Sequence, residues 1–172
     1  MSHVYREIKR RAELLEKLEL AIPGYRGYKE RELRREADRL IREHLLRLLE
    51  PAYRDFKSSM LNAAGDAALM QLYNQVQALF DRVIAKLRTA SYGYSGFFDA
   101  VKIREAELDR LLEYDWSLVS AVERLAKLAR EAAASEPAKL GGALPSLRGE
   151  LLAFEDLLRR REEILRGAAG GS

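Results

Sequence analysis

The sequence predicts an all-α fold, an elongated up-and-down bundle of four to five long helices. Three observations carry that prediction. Apolar residues return every three to four positions through most of the chain. Leu, Ala, Glu and Arg dominate, and all are strong helix formers. Only four prolines interrupt 172 residues. A content of 48 % hydrophobic and 33 % charged residues suits helices with one apolar and one charged face, and is too apolar for a disordered chain. The length is one domain's worth, so residues 1–166 read as a single helical domain and 167–172, Gly-Ala-Ala-Gly-Gly-Ser, as a flexible tail.

The first helix is expected from His3 to Ala21, with Val4, Ile8, Ala12, Leu15, Leu18 and Ile22 as its stripe. Pro23-Gly24 stops it, and Gly24 and Gly27 permit positive φ in the Pro-Gly-Tyr-Arg-Gly-Tyr connection. A second helix begins near Lys29, its apolar side built from Leu33, Ala37, Leu40, Ile41, His44 and Leu48. Pro51 removes a donor and clashes with the preceding turn, so a kink or break is expected there. The helix resumes through Tyr53, Phe56 and Met60 and ends by Gly65.

Asp66 is the expected N-cap of a third helix reaching about Ala90, with the widest apolar face in the protein. A fourth spans roughly Phe97 to Ala134, too long for a compact bundle unless the molecule is elongated, the helix kinked or the protein oligomeric. Residues 135–146, with two prolines and a Gly-Gly pair, read as the longest linker. A fifth helix follows from about Leu147 to Leu165, with Leu151, Phe154, Leu158 and Leu165 as its stripe.

Composition excludes several functions. Without cysteine there are neither disulfides nor thiolate metal sites. The N-terminus carries no apolar signal core and no apolar run approaches a membrane span, so the cytoplasm is the expected compartment. The net charge of +3 is spread unevenly. Residues 1–60 hold 15 basic and 11 acidic residues, leaving 15 and 16 for the rest. That permits an anionic partner without demanding one. Arginine far outnumbers lysine, which fits a thermophilic or high-GC source.

No nucleophile elbow, phosphate-binding glycine loop or dinucleotide fingerprint occurs. The histidines are His3 and His44. Ile41 stands where a Glu-x-x-His metal motif would need an acid, so His44 reads as a partly buried, hydrogen-bonded side chain and no metal or cofactor is expected. Arg104 and Asp115 project from the apolar face of the fourth helix, and buried charges need partners. A carbonyl or carboxylate is expected for Arg104, and a tyrosine, arginine or tryptophan for Asp115. The sharper alternative is a polar pocket for a small anion.

Two surfaces remain. Arg31, Arg35, Arg39 and Arg42 form an arc that could track a phosphate backbone, although Glu32, Glu36, Asp38 and Glu43 stand beside them at pairing distances. Arg159-Arg160-Arg161 is followed at once by Glu162-Glu163 and reads as a mixed surface. Tyr25, Tyr28, Tyr92, Tyr94 and Phe97 concentrate aromatic surface at two turns, either packed together or offered to a partner. Those turns share a Gly-Tyr-x-Gly-aromatic pattern, Gly24–Tyr28 and Gly93–Phe97. Their helical phases favour convergent use of one turn over duplication.

The segments Ile-Pro-Gly-Tyr-Arg-Gly-Tyr-Lys-Glu (22–30) and Tyr-Gly-Tyr-Ser-Gly-Phe-Phe-Asp-Ala-Val-Lys-Ile-Arg-Glu-Ala-Glu-Leu-Asp-Arg-Leu (92–111) resemble a family of small uncharacterised helical proteins of bacteria and archaea. The resemblance covers residues 20–125. That family has no assigned activity, so it implies no catalytic residues. The expected function is a non-enzymatic interaction or scaffold protein that works through helix faces and aromatic turns and self-associates. The alternative is binding of nucleic acid or the ribosome surface by the arginine face. A third reading is reversible membrane association by the first helix and its Lys9-Arg10-Arg11.

Overall fold

The computed structural model describes residues 2–89 and 102–167. Among these it contains six α-helices and one short 3-10 turn, and no strand. The helices are α1 His3–Ala21, α2 Arg34–Lys57, α3 Met60–Ala63, α4 Ala67–Arg88, α5 Glu105–Ala134 and α6 Pro137–Leu165, and the 3-10 turn is Arg31–Leu33.

Helix starts follow local chemistry. The Ser2 hydroxyl accepts from the Tyr5 amide at 3.4 Å. The Asp66 carboxylate accepts from the amides of Ala68 (2.8 Å) and Leu69 (3.2 Å), satisfying donors that the first turn of α4 leaves open. After α1 the Tyr25 amide bonds the Ile22 carbonyl at 3.1 Å, closing a turn with Pro23 and Gly24 at its centre. Gly24 takes φ +90°, the conformation a type II turn requires at that position.

Besides the start of α2 at Arg34 rather than near Lys29, and its end at Lys57 before a separate α3, three features differ from expectation. First, α2 is not broken at Pro51 but runs unbroken from Arg34 to Lys57. Leu45, Leu49, Ala52, Tyr53 and Phe56 are buried on both sides of the proline. Arg47, whose carbonyl loses its donor, is exposed and faces water. Second, Lys102–Arg104 are not helical and α5 begins at Glu105. Third, the expected linker 135–146 is mostly helix, because α6 starts at Pro137, a residue favoured in a helix's first turn. Leu140, Leu144, Leu147 and Leu151 are each fully buried at four-, three- and four-residue steps. Burying three or four leucines outweighs the ~1 kcal/mol of helix propensity lost at each of Gly141 and Gly142.

The contacts divide the chain into two compact units. The first takes residues 1–44, 90–119 and 157–172, and the second takes 45–89 and 120–156. The second unit has an apolar core. Tyr53 stacks on Phe80 at 4.7 Å, Phe56 stacks on Tyr73 at 4.8 Å and Phe56 meets Phe80 at 5.4 Å. These contacts set α2 and α4 antiparallel. Arg82 bonds Glu155 (2.5 and 2.8 Å) and Arg148 bonds Gln75 (2.8 Å), so α4 and α6 run in the same direction. That is the up-and-down order expected of consecutive helices. The first unit, by contrast, is organised around charge.

Candidate functional site

The polar centre of the first unit is built from α1's exit turn, α2, α5 and α6. Gly27, at φ +73°, turns the chain so that Tyr25 and Tyr28 both enter the interior. A Cβ at Gly27 would stand 3.5 Å from both Leu15 and Leu112, so the backbone itself packs there. Asp115 comes from α5, Asp38 and Arg42 from α2, and Arg161 from α6.

Asp115 is fully buried and both of its oxygens accept hydrogen bonds. The Tyr25 and Tyr28 hydroxyls each donate to Oδ2 at 2.6 Å. Arg161 Nε donates to Oδ1 at 2.6 Å. Arg161 Nη2 donates to the Tyr28 hydroxyl at 2.6 Å and pairs with Asp38 Oδ1 at 2.8 Å. Arg42 Nε closes the chain of contacts on Asp38 Oδ2 at 2.8 Å. Arg34, also buried, donates from Nε to the Tyr28 carbonyl at 2.9 Å and fixes the turn.

Two carboxylates thus face the guanidiniums of Arg161 and Arg42, and the tyrosines complete the carboxylate's shell. Arg161 is 2 % and Asp38 1 % exposed, so neither charge has water to fall back on. Burial pushes the Tyr25 hydroxyl far above its ordinary pKa, and the negative Asp115 adds to this. Tyr28 is raised too, mainly by burial, with Arg161 pulling the other way. Both therefore stay protonated and donate.

Chemically, this arrangement holds rather than reacts. Asp115 and both tyrosine hydroxyls are hydrogen-bonded within the cluster, and Asp38 lies in ion-pair contact with Arg161 and is bonded by Arg42. The open grooves lie elsewhere. One of about 320 Å³ between α1 and α5 is lined by Arg10, Arg11, Glu105, Asp109 and Glu113 among others. Its charges already pair. Arg11 bonds Asp109 and lies 3.6 Å from Glu105, while Arg10 meets Glu113 at 3.1 Å. Among the described residues no group of three or more His, Asp or Glu is placed to hold a metal ion.

The structure redistributes the residues singled out by sequence. Tyr25 and Tyr28, candidates for a partner surface, are buried donors to Asp115 and cannot offer their rings to a partner. Tyr92, Tyr94 and Phe97 lie outside the described residues. Asp115 meets two tyrosines and an arginine, whereas Arg104, expected beside it in the buried set, is exposed. Its side chain is 66 % accessible and pairs with Glu107 at 3.0 Å, because the helix starts after it and no apolar face includes it. His44 is partly exposed. In the arginine arc, Arg31 and Arg35 are exposed, Arg39 bonds Glu36 and Glu43, and Arg42 bonds the buried Asp38.

Arg161, Asp38 and Arg34 are the members that sequence reasoning missed. The signal was present. Arg161 falls three residues after Leu158 and four before Leu165, inside the stripe of α6. Arg34 and Asp38 share the phase of Ile41 and Leu45. Reading charged residues as surface by default hid them.

No family model, no curated protein and no solved structure matches this chain.

Proposed function

We propose that this protein is a non-enzymatic docking protein that engages its partner through the face of α1's first two turns. One observation carries the reading. The stripe Val4, Ile8, Ala12, Leu15 and Leu18 lies on one side of α1; Leu18 is buried, as is Ile22 just past the helix end. Its beginning is not covered. Val4 is 60 %, Tyr5 54 % and Ile8 55 % exposed. This apolar strip, rimmed by charge, offers a small surface on which a partner could dock. The closed bonding of the Asp115 cluster supports a structural role for the most chemically furnished part of the chain.

The arginine-face alternative has less to support it, since Arg39 and Arg42 already spend their donors on neighbouring carboxylates. Self-association through α1 alone meets a limit of size. The exposed parts of three side chains amount to on the order of 300 Å², against about 800 Å² per partner in a stable interface.

The test is a photo-crosslinking residue placed at Ile8, with the exposed Glu123 on α5 as the control position. In cell extract that retains its membranes, the expected outcome is a discrete adduct at position 8, to protein or to lipid, and none at 123. Absence of any product at position 8, or a product within the same chain, would remove the reading.

A further inference from the structure

We infer that the surface α1 docks on is an anionic lipid bilayer. This inference rests on the docking role proposed above and adds the class of partner.

The argument starts from position on the helix. At 100° per residue Val4, Ile8 and Tyr5 fall within an arc of about 100°, and Lys9 and Arg6 follow within about another 100° on the Tyr5 side. Both cations are exposed and neither carries an ion pair with any described residue. Glu7 borders the Val4 side, where it lies 3.2 Å from His3. Arg10 holds Glu113 and remains 69 % exposed. Residues 3–11 therefore carry four basic side chains and one acidic, next to a narrow apolar strip.

That pairing suits the water–lipid boundary. Valine and isoleucine enter the acyl region, the tyrosine ring sits at headgroup depth with its hydroxyl in water, and lysine and arginine extend toward phosphates. The strip is too small for a stable protein dimer but large enough for weak, reversible insertion, with the unpaired cations contributing in proportion to lipid charge. No helix among the described residues is long and apolar enough to cross a membrane, so the contact is with the surface.

The experiment is sedimentation of the full chain with vesicles of phosphatidylcholine alone and of phosphatidylcholine mixed with phosphatidylglycerol. Binding is expected only to the anionic vesicles and should weaken as salt is added. Ile8→Asp should lower the bound fraction at least tenfold, and Lys9→Glu about fivefold. Both positions are exposed, so circular dichroism should report unchanged folding. Equal binding to neutral vesicles, no binding, or an Ile8→Asp variant that binds like the parent would each overturn the inference. So would a dimer in light scattering that Ile8→Asp dissolves. A crosslink from position 8 to a protein, with no vesicle binding, would sink the lipid assignment and leave the docking role standing.

Discussion

The two units of this chain are both helical among their described residues and differ in what stands at the centre of their interiors. In the second, Tyr53, Phe56, Tyr73 and Phe80 stack against one another, and the hydroxyls of the tyrosines reach outward to Asp81 at 2.6 Å and the Lys57 carbonyl at 3.2 Å. In the first, the tyrosines at the centre point their hydroxyls inward, to a carboxylate that is itself held by Arg161. Stacked rings gain area and about 0.5–1.5 kcal/mol per pair from geometry, and tolerate modest changes of shape. A buried ionic cluster has no such tolerance, because each member removed leaves another charge or hydroxyl without water or partner. The aromatic cluster joins α2 and α4 by stacked rings, and the ionic one ties the turn, α2, α5 and α6 together by paired charges.

That contrast can be broken most forcefully at Arg161. Arg161→Met keeps most of the volume yet leaves Asp115 and Asp38 facing each other's environment without their shared cation. The expected loss is about 3–5 kcal/mol, read from urea unfolding followed by circular dichroism. In the second unit Phe56→Ala should cost a similar ~3–5 kcal/mol, but the volume-sparing Phe56→Leu only about 1–2 kcal/mol. If Arg161→Met proves as mild as Phe56→Leu, the ionic cluster is as tolerant of change as the stacked rings.

Alkaline pH sharpens the same comparison. The Tyr25 and Tyr28 hydroxyls have folded-state pKa values raised above their unfolded value near 10. The folded chain then keeps protons that the unfolded chain gives up. Their contribution is complete below pH 10 and falls by about 1.4 kcal/mol per pH unit for each tyrosine above it, until the folded pKa is reached. Unfolding curves between pH 8 and 11 should show that slope, and Tyr25→Phe should reduce it. At neutral pH the same substitution should cost about 1–3 kcal/mol, since Asp115 loses one of its donors.

The smallest expected effect lies in the second unit and has the opposite sign. Gly142 is helical and exposed, and a Cβ there would meet nothing within 4 Å. Gly142→Ala should raise stability by about 0.5–1 kcal/mol, through helix propensity and a less flexible unfolded chain. Thermal melting resolves such a change. A loss of stability would mean that this turn of α6 needs the glycine for something other than its place in the helix.

Much of the fold is legible without coordinates. The limits of α1, the Asp66 cap and the helical class follow from local periodicity and capping chemistry, and these act over three or four residues. The expected linker at 135–146 fails for the complementary reason. Pro145 and the glycine pair are local breakers, whereas Leu140, Leu144 and Leu147 gain only when other helices stand against them. The site was half legible. Asp115 betrays itself as a charge on an apolar face. Arg161 stands in a run of arginines that looks like surface until its phase is compared with Leu158 and Leu165.

What the sequence alone determined is therefore what neighbours along the chain set: helical class, the starts of α1 and α4, the Pro-Gly turn and the absence of thiol chemistry. What only the tertiary structure decided is who meets whom across 87 to 133 residues, as when Tyr28 finds both Asp115 and Arg161. Periodicity gives a side chain's direction about its own helix axis, and it carries no information about which helix lies opposite. That choice is made by the joint packing of all the helices, where a buried charge is tolerated only if its complement arrives from elsewhere in the chain.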